Sequence, residues 1–191
     1  MAKNPYVSRG GEKLAAALDA FAIDVRALTC ADFGANVGGF TDCLLQRGAA
    51  QVYAIDTGYG DLAWTLRKDP RVVVMERTNA LHCPVAAAVD LVVIDMAWTP
   101  LAMSVPAAAK WLTPSGRIVA LLKPHYEQAK LAGRKPVAAL SLEESAAVAD
   151  EVCRGLERQG YPVTSRVQSP LEGKGGNSEF LVLIEPAHPL R

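Results

Sequence analysis

The chain of 191 residues carries no net charge, because 20 lysines and arginines balance 20 aspartates and glutamates. That balance excludes a global electrostatic pull toward nucleic acid or anionic lipid, so any nucleic acid must be held by a local patch or through a partner. The cations available for such a patch are Arg9, Lys130, Arg134 and Lys135. No apolar run approaches the roughly 20 residues that a membrane span needs, and the opening MAKNPYVSRGG lacks the apolar stretch of a signal peptide. Cys30, Cys43, Cys83 and Cys153 are scattered and form no CxxC pair. Reduced thiols in a cytoplasmic protein are therefore expected, rather than a disulfide frame or a zinc site. Internal repeats, low-complexity tracts and dividing linkers are missing too, which leaves one domain over 1–191 with no membrane contact.

What is present is a globular composition, 50% hydrophobic and 21% charged, in a chain long enough for a substantial core. LTCADFG (28–34), QVYAID (51–56), RVVVME (71–76), DLVVID (90–95) and RIVALLK (117–123) read as short buried strands. Helical patterns over 40–47, 62–67 and 101–112 separate most of them. Leu14, Ala17, Leu18 and Phe21 form the stripe of an amphipathic helix over 8–21, with Ser8 as its N-cap. A longer helix is expected over 141–159, with Ser141 and Glu144 spaced as a capping box. YPVTSRVQS and SEFLVLIEP, joined by EGKGGN, read as a closing hairpin. Strands alternating with helices predict an α/β fold with a mostly parallel, doubly wound sheet. The closing hairpin makes the last strand antiparallel, as in the Rossmann-like class I methyltransferase arrangement. Residues 1–21 then form an N-terminal segment and helix, and 22–191 the core.

The first strand runs into DFGANVGGFTD, where Gly34, Gly38 and Gly39 let backbone amides approach a ligand at the start of the helix near Phe40. The spacing is G-x-x-x-G-G with Asp32 two residues ahead, not the dinucleotide G-x-G-x-x-G. It suits the carboxylate and ammonium of S-adenosylmethionine better than a pyrophosphate, with Ala35 and Asn36 inside the loop. Asp56 ends the second strand, where a carboxylate accepts both ribose hydroxyls, and Asn79 follows the third, facing an adenine edge. Glycine-rich turns of this kind also serve as plain connections, and strand-end aspartates as plain caps.

YVSRGGEKL, GGFTDCLLQRGA, DTGYGDLAW, RVVVMERTNA, DLVVIDM and LLKPHYE follow one another as in the TlyA-type haemolysin/rRNA methyltransferases. The chain resembles that family, part of the FtsJ-like group of RNA 2′-O-methyltransferases, over about 6–185. The resemblance implies transfer of a methyl group from S-adenosylmethionine to RNA, in particular rRNA or a ribosomal subunit. It also implies a Lys-Asp-Lys-Glu catalytic tetrad, which falls on Lys13, Asp95, Lys123 and Glu179. Three departures stand out. Such proteins usually carry an S4-like RNA-binding domain ahead of this region, whereas five residues precede Tyr6 here; a partner supplying RNA binding is the matching expectation. DMAWTPL stands where D-V-S-F-I-S-L is usual, and LAGRKPVAALSLEES where a glycine-rich GVVRD-type run is usual.

Topology explains how residues so far apart form one site. Asp95 and Lys123 end the fourth and fifth strands, whose C-terminal ends share one edge of a parallel sheet. An antiparallel last strand begins at that same edge, beside Glu179, and Lys13 need only pack across from the first helix. Pro124 keeps Lys123 extended. Singly, Lys13 reads as a solvated helix lysine, Asp95 as a loop cap, Lys123 as a strand-end lysine that snorkels and Glu179 as a hairpin charge; the ordered set raises them together. Trp98 and Tyr126 are candidates to stack a splayed base, although tryptophan at a helix start is more often core. His125 is indistinguishable from a surface histidine. Two other readings remain open at this level: a non-catalytic RNA- or ribosome-associated module, and a small-molecule O-methyltransferase.

Overall fold

Five parallel strands, β1 (Thr29–Phe33), β2 (Gln51–Ile55), β3 (Val72–Met75), β4 (Val89–Ile94) and β5 (Leu112–Leu122), are followed by β6 (Val163–Gln168) and β7 (Phe180–Ile184). They form one sheet in the order β3-β2-β1-β4-β5-β7-β6, with β7 antiparallel to both β5 and β6. These positions come from a computed structural model that describes residues 4–133, 140–173 and 175–186. Arg134 and Lys135 lie outside the described residues.

Alternation along the strands divides the core into two layers. Val119 and Leu121 of β5 face α1 (Gly10–Ala20) and α2 (Gly39–Gln46), meeting Leu14, Leu18 and Leu44. Ile118, Ala120 and Leu122 face the other way, toward Trp111, Val105 of α4 (Leu101–Ala109) and Leu156 of α6 (Leu142–Arg158). Both faces are buried, so the strands are nearly continuous runs of Val, Ile and Leu. Trp111 anchors the second layer, with Phe33 at 5.8 Å and Tyr53 at 6.0 Å between ring centroids.

The expected doubly wound sheet with an antiparallel last strand is the observed one. The capping box on α6 forms as read, Ser141 Oγ accepting from Glu144 N–H and the Glu144 carboxylate from Ser141 N–H. Helix α3 is only four residues long, Trp64–Arg67. Ser8 keeps a capping role at α1: its Oγ accepts Gly10 N–H at 3.3 Å and sits against Gly39, where a Cβ would lie 2.1 Å from it, while Arg9, helical at φ −57° and ψ −22°, makes no side-chain cap bond. Two local expectations change. The patterned stretch 101–112 splits, because α4 stops at Ala109 and β5 starts at Leu112. No helix was expected after Lys123, yet α5 (Pro124–Leu131) begins there with Pro124 in its first turn, where a missing N–H costs nothing. Among the described residues no helix is long and apolar enough to cross a membrane.

Candidate active site

Lys123 sits at the junction of β5 and α5 with φ −114° and ψ 91°, so it is extended while its carbonyl receives Tyr126 N–H and Glu127 N–H. Its ammonium pairs with Asp95, the residue after β4. From the opposite wall Lys13 of α1 reaches Glu179, just ahead of β7, in an ion pair that is also a hydrogen bond. Lys13 and Glu179 are only 9% and 4% exposed, so each charge depends on the other. All four side chains line one cavity of about 520 Å³. The sheet edge thus gathers the four residues as topology required, in two cation–anion pairs. Gly173 has no room for a side chain, because a Cβ would lie 2.2 Å from Glu179 Oε1.

Backbone amides build the neighbouring loops. Asp32 is fully buried, and one of its oxygens accepts both Thr41 N–H (2.9 Å) and Thr41 Oγ–H (2.7 Å). Burial pushes its carboxyl up to about 7; the Thr41 bonds oppose that rise, and the Asp95 and Asp56 carboxylates add to it. Asp56 accepts Asn36 N–H (2.9 Å) and Gly58 N–H (2.7 Å), one on each oxygen, so both oxygens keep lone pairs for hydroxyl donors. Asn79 Oδ1 accepts Leu81 N–H (3.0 Å), which leaves its amide nitrogen as a donor. Asp56 and Asn79 line a second cavity of about 340 Å³, which shares Gly34, Asn36, Asp95 and Ala97 with the first. At Gly34 (φ +90°) a Cβ would lie 2.5 Å from the Asp95 carbonyl oxygen, so only glycine lets the two strand ends approach this closely. Ala35, Gly39 and Phe40 line the larger cavity. Gly38 lines neither cavity and instead accommodates Leu62 and Leu66, while Asp32 lies behind the loop and ties it to α2.

The family model for FtsJ-like methyltransferases matches residues 6–185. The chain belongs to the FtsJ-like methyltransferase family. It is 43% identical over 184 residues to the 16S/23S rRNA (cytidine-2′-O)-methyltransferase TlyA of Mycobacterium tuberculosis, a match covering 94% of this chain and 68% of that relative. It is also 35% identical to Hemolysin A of Brachyspira hyodysenteriae, covering 92% of this chain and 75% of the relative. Among solved structures, one from Lactococcus lactis described as a candidate hemolysin superposes with a TM-score of 0.87 at 36% identity, covering 96% of this chain and 89% of that one. Membership makes this chain an S-adenosylmethionine-dependent methyltransferase. Its residues fit that group: the lone pairs of Asp56 face a cavity continuous with the one beside Lys123.

A third cavity, about 550 Å³, opens on the other side of Lys123. Trp98 and Tyr126 stand in it edge to face, 5.0 Å apart, and Trp98 is 67% exposed rather than part of the core. His125 is a buried residue whose ring packs 4.2 Å from that of Tyr126; burial and then the Lys123 ammonium lower its basicity. Sequence reasoning overlooked Glu127, which lines this third cavity, and Glu172 and Gly173, which wall the first. Gly-rich EGKGG reads as turn chemistry alone, and only the folded hairpin brings Glu172 beside the start of α1, where Arg9 donates to its carbonyl at 2.7 Å. Arg9 lines the first cavity and Lys130 the third.

Proposed function

We propose that this protein transfers a methyl group from S-adenosylmethionine to the ribose 2′-oxygen of a cytidine in ribosomal RNA, free or within a ribosomal subunit, in the cytoplasm. The observation that carries the proposal is the pair of ion pairs, Lys13–Glu179 and Lys123–Asp95, on the walls of one cavity joined to the cofactor loop. The cytidine and the rRNA follow the activity named for the relative from Mycobacterium tuberculosis.

When bound, S-adenosylmethionine supplies a sulfonium methyl group ready for in-line displacement. Asp56 holds the ribose hydroxyls of the cofactor, Asn79 its adenine edge, and Gly34, Ala35, Asn36, Gly39 and Phe40 surround its amino-acid end. Asp32 and Gly38 act from behind by fixing the loop. Lys123 points at the acceptor oxygen, orients its lone pair and takes its proton as the new bond forms, handing one of its own protons to the paired Asp95 carboxylate. Asp95 fixes the Lys123 ammonium, and Glu179 fixes Lys13 across the cleft. Trp98 and Tyr126 offer faces on which an unstacked base can lie. Filled tetrad positions favour an enzyme over a non-catalytic module, and an open aromatic cavity beside Lys123 favours an RNA nucleotide over a small acceptor.

The test is transfer of labelled methyl from S-adenosylmethionine to rRNA and isolated subunits, followed by digestion to nucleosides. Recovery of 2′-O-methylcytidine is the expected result. Label on a base, on a small-molecule panel only, or nowhere would overturn the reading.

A further inference from the structure

In RNA the 2′-hydroxyl sits on the carbon next to the one that carries the base. A ribose placed with its 2′-oxygen at Lys123 therefore sends its base into an adjoining space. That space is the third cavity, which shares Ala97, Lys123 and Tyr126 with the reaction cavity. Most of its wall is apolar or aromatic, and it contains one carboxylate among the described residues, that of Glu127. Glu127 is 7% exposed. Its Oε1 accepts the N–H of Leu101, the first residue of α4, at 2.8 Å. Among the described residues nothing else bonds this carboxylate, so its second oxygen is free to accept from a ligand in the cavity. A buried acceptor in a mostly apolar pocket, whose other charged lining residues are Lys123 and Lys130, with one oxygen already fixed, is built to read a donor.

We propose that Glu127 is the specificity-determining residue for the methylated base, accepting the exocyclic N4 amine of cytosine and rejecting uracil. The assignment rests on the ribose-methylation reading above. Cytosine presents an amine where uracil presents the O4 carbonyl, and a carboxylate accepts from the first and repels the second. Uracil's one ring donor, N3–H, lies between two carbonyl oxygens that the same carboxylate repels.

The decisive variant is Glu127→Gln. Only the amide oxygen can accept the Leu101 N–H, so that bond orients the side chain and turns the NH₂ toward the cavity, replacing an acceptor with a donor. The experiment compares kcat/KM on two RNAs that differ only in having cytidine or uridine at the methylated position. Wild type should favour cytidine by at least about tenfold, and the variant should lose at least about tenfold of that ratio by slowing on cytidine and gaining on uridine. S-adenosylmethionine affinity should stay unchanged. A third RNA, carrying a pyrimidin-2-one ribonucleoside that lacks the amine, tests the wild type without any substitution and should be methylated at least about tenfold more slowly than the cytidine RNA. Wild-type activity with an unaltered ratio in Glu127→Gln, or full activity on the pyrimidin-2-one RNA, overturns the role of Glu127. Absence of 2′-O-methylation of any RNA by the wild type overturns the ribose reading and the Glu127 role with it.

Discussion

On the proposed cofactor side of the cleft the carboxylates are held by nearby backbone: Asp32 by Thr41, nine residues on, and Asp56 by Asn36, twenty residues back. On the acceptor side the ties are ion pairs between distant elements, and Lys13 and Glu179 stand 166 positions apart. The Asp32–Thr41 bonds lie within one βα turn, and the Asp56–Asn36 bond needs only the pairing of β1 with β2. Lys123 and Asp95 meet once β5 pairs with β4, whereas Lys13 meets Glu179 only when α1 and the closing hairpin have both docked. The first set of carboxylates is thus held by adjoining strands and turns, and the Lys13–Glu179 pair is a product of the complete fold.

The largest effect expected from breaking this division is chemical. Lys123→Ala should lower methyl transfer by about 10²–10⁴-fold, equivalent to about 3–5 kcal/mol of barrier, while cofactor affinity measured calorimetrically stays within a few-fold. Near-normal turnover in single-turnover assays would remove Lys123 from the reaction.

Next comes the buried pair. Glu179→Ala leaves the Lys13 ammonium without its partner in a cavity wall, and should cost about 3 kcal/mol of folding stability by chemical denaturation in addition to activity. The double variant Lys13→Met/Glu179→Ala should recover part of that stability but none of the activity. If the single variant is as stable as wild type, the pair is not structural.

On the cofactor side the expected effects are smaller. The Asp32 carboxyl titrates near 7 in the fold and near 3.8 when exposed. Between those values the folded state keeps a proton that the unfolded chain has released, so this residue makes stability fall as pH rises from about 4 to about 7, with no further change above. Asp32→Asn keeps an oxygen for Thr41 but cannot titrate, so its stability should decline less than wild type over that range. Parallel stability curves for the two proteins would contradict the burial of an ionisable Asp32. Asp56→Ala should reduce the thermal shift produced by S-adenosylmethionine, as expected for about tenfold weaker binding. An undiminished shift would place the cofactor ribose elsewhere.

Legibility in the sequence follows the same line. Strands β1 to β4, helix α2 and the capping box at Ser141 and Glu144 rest on short-range pattern, and they appear where the pattern puts them. The region after Lys123 was less legible. PHYEQAKL has no apolar periodicity, so α5 was missed, and with it the fact that Glu127 faces back over α4. Trp98 was weighed as core because a tryptophan near a helix start usually is; here it is exposed beside Tyr126.

What the sequence determined by itself is the order of the strands and of the helices other than α5, the glycine-bearing loop after β1 and, through the family resemblance, four candidate tetrad residues. Propensity, periodicity and turn chemistry act over a few residues, and the four tetrad candidates were visible only through the ordered motifs that carry the family resemblance. Tertiary structure alone decided which cation pairs with which carboxylate, that Glu172 and Gly173 wall the first cavity, and that Glu127 stands in a pocket beside Lys123. Ion pairs and cavities are set by distances between elements, and those distances are fixed only when both faces of the sheet have been packed.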